Sequence, residues 1–120
     1  MHIAALVVAL IVSVGIIGVG VRFLLQPRQA TLGYGVAVDN VRALTEIKGG
    51  RDIAFGAVML AVWAAGGRQT LGWALFAAAL APTADAIIVL SNGGKLATAL
   101  GVHALTAAFM VAAGLILALG

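Results

Sequence analysis

Long apolar runs, separated by short polar stretches, dominate the chain. Four stand out: Ile3 to about Leu25, Ile53 to Gly67, Thr70 to about Leu90, and Leu96 to Gly120. A membrane-spanning helix needs about 20 residues at a rise of about 1.5 Å each. The first, third and fourth runs reach that length. The second has 15 residues, and makes roughly 22 Å of helix against a hydrocarbon core of about 30 Å. Gly66-Gly67-Arg68 closes its end, so added length has to come from its start. That draws Arg51 and Asp52 to the edge of the apolar slab. The expectation is an all-α integral membrane protein, one domain over residues 1–120. Its four-helix bundle would have spans at about 3–25, 50–67, 70–91 and 96–119.

The stretch from Gln26 to Gly50 is more polar. Pro27 is expected to end the first helix, and Gly33-Tyr34-Gly35 reads as a turn. Asp39 suits the N-cap of a short helix carrying Val41, Leu44 and Ile47 on one face. Gly49-Gly50 reads as a hinge into the second span. The predicted role of this piece is a short surface or lid helix between spans one and two. The remaining connections are short, which favours antiparallel neighbours. Small residues recur four apart at Ala5 and Ala9, at Ala97 and Gly101, and at Ala104 and Ala108. Such spacing permits close helix contact in lipid.

Composition agrees with the pattern. Of 120 residues, 63% are hydrophobic and 9% charged, against about 25% charged in a soluble domain. That is too little polar surface to face water, so the partner expected is the lipid bilayer. The run from Ile3 to Val21 holds 19 uncharged residues, longer than the core of a signal peptide. It lacks a basic leader and a clear cleavage site, and reads as a retained helix. The net charge of +3 comes from scattered basic residues without interleaved aromatics, which argues against a nucleic-acid partner. With no cysteine and no His/Asp/Glu set at ligand spacing, neither a metal nor a cofactor is expected. His2 and His103 fall on opposite sides of the membrane in this topology, too far apart to share a haem.

The charges change the picture further, because they gather on one side. With four crossings, Arg22, Arg28, Tyr34, Asp39, Arg42, Glu46, Lys48, Arg51, Asp52 and Lys95 all belong to the side reached by the end of span one. Arg68 alone is left on the other side. The Lys/Arg excess makes the crowded side cytoplasmic, in a multi-pass protein of a bacterial inner membrane. Asp85 lies six residues before Ser91, and His103 seven after Leu96, so both fall at similar depth, roughly 9 Å inside that boundary. An ionisable group at mid-helix costs roughly 2.5–3.5 kcal/mol to insert, and so turns toward the bundle interior and a partner. Pro82, one turn before Asp85, frees a backbone carbonyl and lets the helix bend. The candidate catalytic residues are Asp52, Asp85 and Arg51; the candidate substrate-binding residues are Arg22, Tyr34 and His103. The same charges also suit a plainer role, in which they stitch helices together or reach the headgroups. His103 suits either proton transfer or a backbone hydrogen bond in the core.

Arg22-Phe23 with Pro27, Gly33-Tyr34-Gly35, Lys48-Gly49-Gly50-Arg51-Asp52, Gly72-Trp73, Pro82, Asp85 and His103 together resemble a family of small bacterial and fungal membrane proteins known as a domain of unknown function. More distantly, the chain is similar to the DoxX-like four-helix membrane proteins. The resemblance spans nearly the whole chain and implies the four-helix count. It implies no settled activity, although some DoxX-like proteins are linked to quinone-dependent oxidation.

Three readings stay open. In the first, a one-sided intramembrane polar pocket binds or converts a small lipophilic molecule. Two carboxylates bridged by an arginine suit an epoxide-like oxygen; an arginine and a histidine suit a quinone-like head group. In the second, the protein is a proton-coupled small-molecule transporter. In the third, it is a structural or accessory subunit of a membrane complex. The sequence does not decide whether the protein is an enzyme, and it leaves homo-oligomers open.

Overall fold

The computed structural model describes residues 2–120, which are almost entirely helical, with no strand among them. They form two compact units, one reaching to Gly50 and one spanning Arg51–Gly120. Three helical stretches are long and apolar enough to cross a membrane: His2–Leu25, Val41–Ser91 and Leu96–Leu119. The expected second and third spans thus appear as one stretch of 51 residues.

In the first unit, α1 (His2–Leu25) has no buried residue. Its one hydroxyl is satisfied within the helix, since Ser13 Oγ donates to the Ala9 carbonyl at 2.8 Å. Gln26 leaves the helical region (φ −134°, ψ 62°), and Pro27 opens α2 (Pro27–Tyr34) at its first turn, where its missing N–H costs nothing. Proline therefore ends one helix by starting another. The expected turn at Gly33-Tyr34-Gly35 is the last turn of α2 with its cap. Gly35 has φ +111°; its N–H donates to Leu32, and that of Val36 to Thr31. This is a Schellman ending, which uses glycine because L side chains resist that φ.

The next helix, α3 (Val41–Ala78), starts one residue later than Asp39 would cap it. Asn40 is the cap: its Oδ1 accepts the Ala43 N–H at 3.0 Å. The helix then runs through Gly49-Gly50 without a break, so the expected hinge is absent and the expected lid helix over 41–47 is simply the beginning of α3. A mid-helix glycine costs only about 1 kcal/mol. The Arg42–Glu46 pair at 2.9 Å adds i,i+4 support just upstream.

The real interruption comes at Gly67, where φ +80° and ψ −174° lie in a region open essentially to glycine alone. Helical geometry resumes at Arg68 and relaxes once more at Ala79, where α4 (Leu80–Ser91) begins. Pro82 explains the second point. It has no N–H for the Ala78 carbonyl, while Thr83 donates to Ala79 through both its backbone and its hydroxyl. A second Schellman ending follows: Gly93 (φ +74°) donates to Leu90 and Gly94 to Val89. The chain returns as α5 (Leu96–Thr98), a π-helical turn over Ala99–Ala104, and α6 (Leu105–Leu119).

The core of the second unit is built from the smallest residues. Gly72, Ala79 and Pro82 on one arm, and Ala99, Ala107, Gly114 and Ala118 on the other, are buried. Among the described residues no large side chain is fully buried, while Ile, Leu, Val and Phe point outward along every apolar helix. This inverts the water-soluble pattern and matches packing in lipid, where small residues let backbones approach. Gln69 Nε2 donates to the Ala118 carbonyl at 3.1 Å and so binds the two arms where the chain ends. The seam does not use Ala97, Gly101 or Ala108, all of which are exposed, as are Ala5 and Ala9 on α1.

The π turn accounts for that choice. Each α-helical residue advances by about 100°. Counted from Ala107, Gly114 and Ala118 fall within about 20° of one face, but Ala99 would fall about 80° away. A π turn takes up one extra residue, and this brings Ala99 back onto the seam.

Candidate functional site

Within the second unit, α4 packs against the π turn and against α5 and α6. Asp85 belongs to α4 and His103 to the π turn. The first lies six residues before the end of α4, the second seven after the start of α5. The π turn absorbs one of those seven, so the two residues lie at similar helical distances from the connecting turn. Each also flanks the buried seam. Asp85 follows buried Pro82 by three residues, and His103 lies four from buried Ala99 and four from buried Ala107. Both are partly buried.

Neither has its polar atoms engaged. Among the described residues of this unit, no hydrogen bond or ion pair reaches the Asp85 carboxylate or the His103 ring, and the unit's arginines, Arg51 and Arg68, do not pair with Asp85. The nearby hydroxyls are occupied with their own helices: Ser91 donates to Ile87, and Thr106 to Val102. A carboxylate and an imidazole on packed elements, one of them a π turn, can each accept a hydrogen bond or donate one when protonated. π turns inside helices occur often at functional sites.

The other candidates are distributed differently. Arg51 and Asp52 occupy exposed positions on α3. In the first unit, α2 packs against α1, which brings Arg22 beside Gly33 and Phe23 against Tyr34. The Arg22 guanidinium lies about 3.9 Å from where a Cβ on Gly33 would stand. The Phe23 and Tyr34 rings meet edge to face, with centroids 6.3 Å apart. Among the described residues, no three His, Asp or Glu side chains cluster closely enough to hold a metal ion.

The π turn and the Gly72–Gly114 seam carry the most structural information, and neither was singled out from the sequence. Gly114 and Ala118, four apart, did carry the small-residue spacing. The π turn left only an indirect trace, an eight-residue gap between Ala99 and Ala107 where the face repeats at seven.

The order of these elements along the chain can be set beside known families. The model of a domain of unknown function, DUF4267, matches residues 13–117. The chain belongs to that family. No curated protein and no solved structure matches it. The DUF4267 description assigns no chemistry, so the reading of Asp85 and His103 rests on their own placement. The match runs from the middle of α1 to within α6, and so takes in Arg22, Gly67, Gly72, Pro82, Asp85, His103 and Gly114 together.

Proposed function

We propose that this DUF4267 protein is a multi-pass membrane protein whose Asp85 and His103 form the polar end of an intramembrane site for a small lipophilic molecule. Its spans would be α1, residues 50–66, residues 68–91 and residues 96–119, with Gly67 as the reversal between the second and third. The crowded basic side would face the cytoplasm of a bacterial inner membrane. The observation that carries the reading is the lack of a partner for Asp85 within its unit. A carboxylate held at that depth without a counter-charge is expensive to keep, and two free polar groups at one level beside broken helical hydrogen bonding make a receptor rather than a strut.

The ligand class follows from the two groups. Imidazole and carboxyl can hold an oxygen-bearing head, a quinone-like carbonyl or an epoxide-like ether, while the apolar flanks of α4 and α6 accept its hydrocarbon part. The quinone-like choice also draws on the similarity to DoxX-like proteins. Arg51 and Asp52, exposed on α3, take no part in this site.

Native mass spectrometry of the detergent-solubilised protein tests it. Wild type should retain a discrete non-lipid mass that Asp85→Asn and His103→Gln both lose. An empty wild type, or a mass that both variants keep, would end the proposal.

A further inference from the structure

We infer that the corner between α1 and α2, within the first unit, is a binding site for the headgroup of an anionic phospholipid. Arg22 sits in the last turn of a helix with 24 residues and no buried side chain, so its apolar length ends where a guanidinium begins. Arg22 is exposed, and no acid pairs with it among the described residues. Its guanidinium lies beside Gly33 of the following helix, about 3.9 Å from where a Cβ there would stand. The Phe23–Tyr34 edge contact fixes the neighbouring turn, and Tyr34 and Leu32 remain exposed on α2. An arginine, a tyrosine and a short helix with one apolar edge at the end of a lipid-facing helix are the side chains of the membrane interface.

Charge selects the headgroup. Residues 2–38 contain Arg22 and Arg28 and no Asp or Glu. Pro27 places Arg28 in the first turn of α2. A guanidinium presents a planar fork that a phosphate oxygen pair fills bidentately, and a tyrosine hydroxyl can donate to the same group. A zwitterionic headgroup carries its own cation into this basic corner, whereas phosphatidylglycerol brings a net negative charge. The anionic lipid is therefore the occupant that charge complementarity favours.

The test uses wild-type protein in mixed vesicles of phosphatidylcholine with photoactivatable phosphatidylglycerol, and a matching set with photoactivatable phosphatidylcholine. Headgroup cross-links from phosphatidylglycerol should map to residues 20–36 and exceed those from phosphatidylcholine there. Arg22→Gln should weaken that preference by about fivefold, the worth of one arginine near an anionic surface, while Arg68→Gln leaves it unchanged. Added inorganic phosphate should not compete. Equal labelling by the two lipids, labelling spread along the chain, or displacement by free phosphate would overturn the inference. If Arg22→Gln does not fold, the wild-type map alone decides.

Discussion

Gly72 and Gly114 meet backbone to backbone: a Cβ added at Gly72 would stand 2.6 Å from the Gly114 carbonyl oxygen, and one added at Gly114 would stand 2.8 Å from the Gly72 carbonyl oxygen. The Ala118 N–H crowds the same spot from one turn further along. Neither atom can move without shifting a helix, because each belongs to main chain. Gly72→Ala and Gly114→Ala should each destabilise the protein by about 1–3 kcal/mol, the usual cost of overpacking. Thermal melts in detergent check this, with Gly56→Ala as the control. Gly56 has open space around it, and there alanine should stabilise the helix by about 0.5–1 kcal/mol.

Gly67 is required for its backbone rather than its size. Nothing lies within 4 Å of a Cβ placed there, yet its φ is +80°. Gly67→Ala should therefore cost about 1–3 kcal/mol with no steric clash to relieve. A second-site change that enlarges space nearby should not rescue it. Rescue by such a change would show that the residue is packed, not strained.

Much of the fold could be read from the chain, because it rests on counts. Apolar run lengths and the scarcity of charge point to membrane-crossing helices, and Pro27 and Pro82 each mark a change in backbone hydrogen bonding. What escaped was phase. Gly49-Gly50 looks like a hinge and is helical, whereas Gly66-Gly67 is the true break; the glycine pairs are alike, and only the geometry at Gly67 separates them. For the same kind of reason, the small-residue spacing at Ala97, Gly101, Ala104 and Ala108 did not single out the seam. A composition rich in alanine and glycine offers several small-residue rows, and the π turn moves the packed face from one row to another. That Asp85 and His103 lie on adjoining elements was legible, because one short turn joins those elements. Their lack of partners within the unit was not, since pairing depends on side-chain reach.

If the π turn is a register device, removing its extra residue should be tolerated. Deleting Leu100, which is exposed, should restore a regular α-helix with Ala99 still on the seam. Circular dichroism and the melting temperature should stay close to wild type. Deleting Thr106 instead, beyond the π turn, should rotate Ala107, Gly114 and Ala118 away from Ala99 and His103 by about 100° and unfold the hairpin. Equal damage from both deletions would argue against the register role.

Asp85→Asn separates a receptor from a strut. Breaking a buried ion pair by removing one partner typically costs about 3–5 kcal/mol. With no pair to break within its unit, Asp85→Asn should melt at or above the wild-type temperature. A loss of several kcal/mol would mean that the carboxylate stitches helices together, and the binding role would fall with it.

The proposed site requires Asp85 and His103 to stand at one level across the seam, and paired cysteines test that directly. The chain has no cysteine of its own, and Lys95 lies exposed in the turn between the two positions, where trypsin can cut. Asp85→Cys combined with His103→Cys should form a disulfide under copper phenanthroline, so that the fragments on either side of Lys95 stay joined until reduced. Asp85→Cys combined with Met110→Cys, seven residues or about 10 Å further along the helix, should not. Joined fragments in the second pair and free fragments in the first would contradict the register, and with it the site.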